Sequence, residues 1–581
     1  MWNQLRAGAI LRASWLLAFY LAGVAWLTWP LAGSLSSVLP CPTGMFMHDI
    51  YYSTWALAHE SHALLTAPWR IADANIFHPT PSALFYGPAG LGALPLFAPV
   101  FLATGNPTLA INVTFLVGLA LTGAAMHVVV RRWTGSDLAG VVGAATLLAN
   151  QWVIWAFVPT APHWAALELL PLIAFVAAAP FPSMRAALRL LPLLVLQCLT
   201  DLVYVAPAVL GPLGVLAAIR ILRRDTRAAA VRLVAVLALT LPALLPVYRG
   251  YLGVRAANPN LSTQTWWVVT ENTFPAPLPD RFLGGNYPLV LTPVAMALVG
   301  LGALVALGRR RAGAAAPVPG GWAHGALWAV VGAVLSLPAL VTVAGALYRT
   351  PLGYLAMWSD PYRTIRVSSR LGVAGLLGLG ILSGVAFGEI ASLIATRLRR
   401  PAAARVGRGA LAAVVLGLVY HAYATNYASF HQPGPMPVAY PLCAAPTVPA
   451  PLLPPLRASH EPLLEVPLAP GAAFVVNDHA AAMYHSIAHW RPLLNGYSSY
   501  WPADFPQRMA DAASLPDPVA LDRLVETTGL AMVWLHAARL PPAARAAWLA
   551  PPRDGAHRLQ LVVRSGTELL YAVVPATPSP G

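Results

Sequence analysis

His48 and Asp49 stand side by side in Met47-His48-Asp49-Ile50-Tyr51-Tyr52. A carboxylate next to an imidazole, among aromatics, can take a proton from a hydroxyl or help hold a divalent cation such as Mg2+ or Mn2+. The same Asp can equally serve as a helix N-cap or a solvated loop carboxylate. Cations that could meet a phosphate come later, at Arg363, Arg366 and Arg370, whose planar guanidinium groups suit phosphate oxygens. Interfacial snorkelling, or pairing of these Arg with Asp360, is the plainer alternative. Ionisable groups in or beside apolar stretches, at His163, Glu168, Asp201 and Glu271, call for a cavity or a partner. His163 could touch an anionic ligand, and Asp201 with Tyr204 is the better candidate for lining a cavity. Asp73 lies in Ala72-Asp73-Ala74-Asn75-Ile76-Phe77-His78-Pro79, while His489 and Arg491 lie in an aromatic-rich run from Tyr484 to Trp501. The aromatic, amide and guanidinium groups of the 484–501 run, His489 and Arg491 among them, suit a binding surface for hydroxyl-rich molecules; packing of a loop is the plainer alternative.

The elements that must position these groups are mostly hydrophobic. The 581 residues are 58% hydrophobic and 10% charged, far below the roughly 25% charged residues of a soluble domain. Apolar runs near 11–31, 107–130, 138–158, 163–180, 186–203, 204–222, 229–249, 287–308, 322–347, 370–391 and 409–428 predict a mainly α, polytopic membrane protein with about eleven crossings. All 36 basic residues are Arg: nineteen fall in one set of alternate gaps, eight in the other, and nine beyond the last run. That bias places the N-terminus in the cytoplasm and the C-terminal part outside, and makes nucleic acid an unneeded partner. The run 87–104, interrupted by Pro88, Pro95 and Pro99, reads as an interfacial or re-entrant stretch.

The organisation that follows is a membrane domain over 1–430 with a long first outer loop at 32–106, a Pro-rich linker at 431–455, and a soluble α/β domain at 456–581. In that domain strand-like runs occupy 463–468, 531–536, 558–564 and 568–574, the last two joined by Ser565-Gly566-Thr567, with helical patterns at 517–528 and 541–549. Of three cysteines, Cys41 and Cys443 fall on the same side and could pair. Exclusive use of Arg, with abundant Ala, Pro and Gly, fits a GC-rich bacterial genome, so the expected location is a bacterial inner membrane with the soluble domain in the periplasm.

A helix, a long outer loop with an early acidic residue at His48-Asp49, the later Asp73-to-Pro79 segment, many further helices and an outer C-terminal domain together resemble the GT-C superfamily of membrane glycosyltransferases. The run His489-Trp490-Arg491-Pro492-Leu493-Leu494-Asn495-Gly496-Tyr497 is similar to a segment of one bacterial branch. The resemblance implies a sugar donor on a polyprenyl-phosphate carrier and a lipid, glycan or protein acceptor, with membrane lipids around the bundle. It implies that Asp49 is the catalytic base. Arg363, Arg366, Arg370 and His163 are then candidates for the donor phosphate, and His48, Tyr51, Asp73, Asp201, Glu271, His489 and Arg491 for the cavity and acceptor. Many members carry a paired D-x-D motif; here His48 precedes Asp49 and no second carboxylate adjoins it, so no cofactor is fixed. A non-catalytic transporter of lipid-linked glycans, or an assembly partner, is the second reading.

Overall fold

The computed structural model describes residues 2–41, 47–259, 276–278, 282, 287–311, 320–358, 365–398, 400–425, 439–468, 476–552 and 554–576. Arg363 and Glu271 lie outside the described residues. The chain is mainly helical and is a multi-pass membrane protein. Among the described residues six helices are long and apolar enough to cross a membrane: Pro107–Thr134, Val205–Leu222, Arg227–Ala257, Pro293–Arg311, Ser368–Arg397 and Pro401–Thr425. Shorter apolar helices include Leu11–Leu27 and Gly321–Leu335.

Each boundary has a local cause. Asn106 accepts the Leu109 N–H at 2.9 Å, Pro107 supplies the first helical residue, and Gly135 ends the helix in the left-handed conformation at φ 67°. Helix Gly321–Leu335 lies backbone to backbone on Val373–Arg397: a Cβ on Gly378 would stand 2.1 Å from the Ala329 nitrogen. Small residues permit that approach in a bundle with no hydrophobic drive between helices.

The expected crossings at 138–158 and 163–180 are instead broken. Helix Asp137–Leu148 has 12 residues and Leu169–Ala178 has 10, with irregular turns between them. At 1.5 Å per residue neither reaches the roughly 30 Å of a hydrocarbon core. Asn150 causes the break: its Oδ1 accepts the Trp152 N–H at 2.8 Å and its Nδ2 donates to the Pro288 carbonyl at 2.8 Å. Irregular backbone at such depth survives where protein surrounds it. The run 87–104 becomes an 11-residue helix, Leu94–Thr104, about 16 Å long.

The segment 32–106, expected as a long loop, holds a helix. Met47–Thr66 is a 20-residue helix whose side chains are buried around most of its circumference, between the bundle and the C-terminal domain. The C-terminal domain holds a four-stranded sheet in the order Leu463–Val466, Met532–His536, Glu568–Pro575, His557–Ser565. Helices Pro518–Thr528 and Pro542–Leu549 match the expected ones, and Val476–Ser486 and Phe505–Ser514 are additional. Strands Val38–Pro40 and Leu442–Ala444 pair antiparallel, and the Cys41–Cys443 disulfide lies beside them.

Candidate active site

Asp49 sits in the first turn of helix Met47–Thr66, where the helix dipole favours a negative charge. Its neighbour ties the turn down: the His48 backbone N–H donates to Asn477 Oδ1 at 3.1 Å, and its Nδ1 meets the same oxygen at 3.0 Å. Farther along, Trp55 Nε1 donates to Asn75 Oδ1 at 3.0 Å, and Glu60 Oε1 accepts the Gly90 N–H at 3.1 Å. The Asp49 side chain remains 35% exposed. The phenol of Tyr497 donates to Asp49 Oδ1 at 2.7 Å, across 448 residues of sequence. Burial holds that phenol well above its ordinary pKa, and the Asp49 charge and hydrogen bond push the same way against Arg366 and Arg370. Tyr497 is therefore a fixed donor that leaves the second carboxylate oxygen for another task.

Arg366 and Arg370 reach the same neighbourhood, since both charges act on Tyr497. The Arg366 guanidinium lies 5.7 Å over the Tyr500 ring; that of Arg370 lies 3.9 Å over Phe157 and 5.2 Å over Tyr204. Arg370 is also close enough for its charge to act on His163 and Asp201. His163 is buried and its Nε2 has no hydrogen-bond partner among the described residues. Asp201 Oδ1 accepts the N–H groups of Val203 at 2.8 Å and Tyr204 at 3.0 Å in the turn that leads into helix Val205–Leu222. Tyr52, one turn after Asp49, feels the charges of Glu60, Asp201 and Asp49 together, which add to burial in raising its phenol pKa. Burial pushes Glu60 itself up to about 8, opposed by the Gly90 N–H. Glu60 stands three helical turns from Asp49, about 16 Å along the axis, and so does not form a carboxylate pair with it.

A resident metal finds a poor fit at this spot. His48 Nε2 and Asp49 Oδ1 are 3.9 Å apart, and among the described residues no third carboxylate, imidazole or thiolate joins them within ligand spacing. Two protein donors leave a divalent ion mostly to water and substrate.

The remaining sequence candidates are placed elsewhere. The Tyr51 ring packs edge-on against Tyr484, with centroids 5.6 Å apart. Asp73 accepts the Ser82 N–H at 3.1 Å and lies 3.7 Å from Arg70, so it shapes its own loop. Arg491 is 1% exposed and donates to the carbonyls of Leu456 at 2.7 Å, Glu461 at 3.0 Å and Pro455 at 2.8 Å. Full burial and full satisfaction correct its assignment to an acceptor surface. His489 is corrected on burial alone: its Nδ1 accepts the Arg491 N–H at 3.1 Å, and its buried Nε2 has no hydrogen-bond partner among the described residues.

The two segments that carried the resemblance hydrogen-bond to each other. Leu493 N–H donates to the Asn75 carbonyl at 2.8 Å, Phe77 N–H to Asn495 at 3.1 Å and His78 N–H to Leu493 at 2.9 Å. Asn75 Nδ2 adds a bond to the Arg491 carbonyl at 3.0 Å, and Arg508 donates to the Phe77 and His78 carbonyls. The 491–495 stretch in turn bonds to Leu463 on its other side, so residues 75–78 extend the C-terminal sheet by two irregular rows. This weld brings Tyr497 to Asp49.

No protein-family model and no curated protein matches the chain. Solved structures do. The cryo-EM structure of the arabinofuranosyltransferase AftD from mycobacteria aligns with 96% of this chain at 14% identity and TM-score 0.52. The chain spans 39% of that protein's length. The chain carries the GT-C fold. ArnT from Cupriavidus metallidurans, solved bound to undecaprenyl phosphate, aligns over 96% of this chain and 97% of its own at 14% identity and TM-score 0.43. Within the GT-C fold, sequence reasoning named Asp49, Arg366, Arg370 and His163 but left Tyr497 without a role. Tyr497 ends the 489–497 segment, and nothing in its local sequence reports a partner in the first outer segment.

Proposed function

We propose that the chain is a membrane glycosyltransferase that moves a sugar from a polyprenyl-phosphate carrier to an acceptor hydroxyl at the outer face of a bacterial inner membrane. The observation that carries the reading is the partly exposed Asp49 carboxylate, held by the Tyr497 phenol beside Arg366 and Arg370. Asp49 is the general base. It takes the acceptor's proton as that oxygen attacks the anomeric carbon from the face opposite the phosphate, inverting that centre. The anomeric C–O bond breaks, and the electron pair leaves with the polyprenyl phosphate. Arg366 and Arg370 stabilise the departing anion, with His163 and, from the sequence alone, Arg363 as further candidates; a positioned cation contributes roughly 10²–10³ in rate and a positioned base 10²–10⁴.

Two observations support the outer location. The Cys41–Cys443 disulfide belongs to an oxidising compartment and joins the segments leading to Asp49 and to the C-terminal domain. The Arg bias puts the opposite gaps in the cytoplasm. The sugar, pentosyl or hexosyl, and the acceptor, whether lipid, glycan or protein, are open to experiment. The fold is shared with an arabinofuranosyltransferase, which makes a pentosyl donor the first to try. The test is transfer by membranes containing the chain from a panel of radiolabelled polyprenyl-phosphate sugars. Label should move to acceptor from one donor class. No transfer from any donor would replace this reading with the transporter or assembly role.

A further inference from the structure

A second cluster of chemistry-bearing side chains lies inside the C-terminal domain, away from Asp49. Glu465, in strand Leu463–Val466, places Oε2 at 2.9 Å from His485 Nδ1 and 3.2 Å from His536 Nε2. His485 comes from helix Val476–Ser486 and His536 from the neighbouring strand. The side chains are 4%, 10% and 14% exposed, respectively. The three donor atoms lie within 4.8 Å of one another. We propose that Glu465, His485 and His536 form a zinc site that pins helix Val476–Ser486 to the C-terminal sheet.

Three features point to a metal rather than to a set of ordinary hydrogen bonds. Two imidazoles converge on one carboxylate oxygen, while Oε1 of the same carboxylate is buried and has no partner among the described residues. A cation at the centre engages that orphan oxygen as well as Oε2. The outer shell is also in place: His536 Nδ1 lies 2.7 Å from Glu568 Oε2, and Trp534 Nε1 donates to the same oxygen at 2.7 Å. A carboxylate on the far ring nitrogen, itself held by a donor, fixes the tautomer and orientation of a ligating histidine. Finally, bonds of about 2.0–2.1 Å in a tetrahedron put neighbouring donors about 3.3 Å apart. The observed 2.9 and 3.2 Å need to open by only a few tenths of an ångström. Two nitrogens and one carboxylate suit zinc better than Mg2+ or Ca2+, which prefer all-oxygen shells.

The site would act at a distance on the first outer segment, because the pinned helix also carries Asn477, the partner of His48, and Tyr484, the partner of Tyr51. The test uses the full chain purified in detergent, stripped with a chelator and titrated with Zn2+ alone. One equivalent should bind, and Co2+ in its place should give the visible absorption of a low-coordinate site with nitrogen and oxygen ligands. His485→Gln and His536→Gln should abolish uptake, and Glu568→Gln should weaken it about 10- to 100-fold with every ligand still present. Folded wild-type chain that takes up no Zn2+ would overturn the proposal, as would His485→Gln protein that binds as tightly as wild type. If the histidine variants do not fold, the Co2+ spectrum of the wild type decides: octahedral, all-oxygen coordination overturns the site.

Discussion

The run from His489 to Tyr497 is built in two halves with opposite fates. At its start, Arg491 is sealed from solvent and commits its guanidinium to the carbonyls of Pro455, Leu456 and Glu461. At its end, Tyr497 crosses to the partly exposed carboxylate of Asp49. Both halves use residue types that suit sugar or phosphate recognition. What separates them is whether the protein's own acceptors absorb their hydrogen bonds. A satisfied, buried cation contributes stability; a carboxylate with one fixed donor and an open oxygen remains available for chemistry. Arg366 and Arg370 belong with the second group by position, beside Tyr497 and facing aromatic rings.

That contrast can be broken from either side. Arg491→Met removes the donor to three carbonyls, that of Leu456 fully buried, and should lower unfolding stability by about 2–3 kcal/mol, while the protein that remains folded keeps its transfer rate. Thermal unfolding in detergent, with activity scaled to folded protein, checks both parts. Arg370→Gln should do the reverse: a fall of about 10²–10³ in transfer with little change in unfolding temperature. If Arg491→Met and Arg370→Gln behaved alike, the division into weld and working site would fail. Tyr497→Phe should cost about tenfold in transfer, the loss of one hydrogen bond to a charged group.

Glu60→Gln sharpens the comparison inside one helix. Burial raises the Glu60 carboxyl to about 8, so the folded chain keeps its proton while the unfolded chain loses it near the ordinary carboxylate value. Stability from this group is then complete below about pH 4.5 and is lost as pH rises toward 8, at up to about 1.4 kcal/mol per pH unit. The Gln variant should flatten that slope in pH-dependent unfolding and leave transfer near wild type. A slope unchanged by the substitution would assign the pH dependence elsewhere.

Much of this was legible in residue order. Short strand-like runs and the Ser565-Gly566-Thr567 turn marked the sheet strands, although Leu463–Val466 and Met532–His536 are buried on both faces and show no alternation. Asp49 and the outer Arg were legible because charges are rare enough in this chain to stand out. The helix Met47–Thr66 was not: it is buried around most of its circumference, so it lacks an apolar stripe. The break near Asn150 was hidden by the apolar runs on either side. The Tyr497 contact joins the two ends of the chain, and Arg491 looked like a ligand-binding cation because its three carbonyl partners carry no side-chain signature.

Asp49→Asn separates the base from the scaffold around it, with donor binding and sugar transfer measured on the same membranes. The substitution keeps the shape and the acceptor for Tyr497 while removing the base. Polyprenyl-phosphate-sugar binding should persist as transfer falls by about 10²–10⁴. Undiminished transfer by the Asn variant would contradict the account.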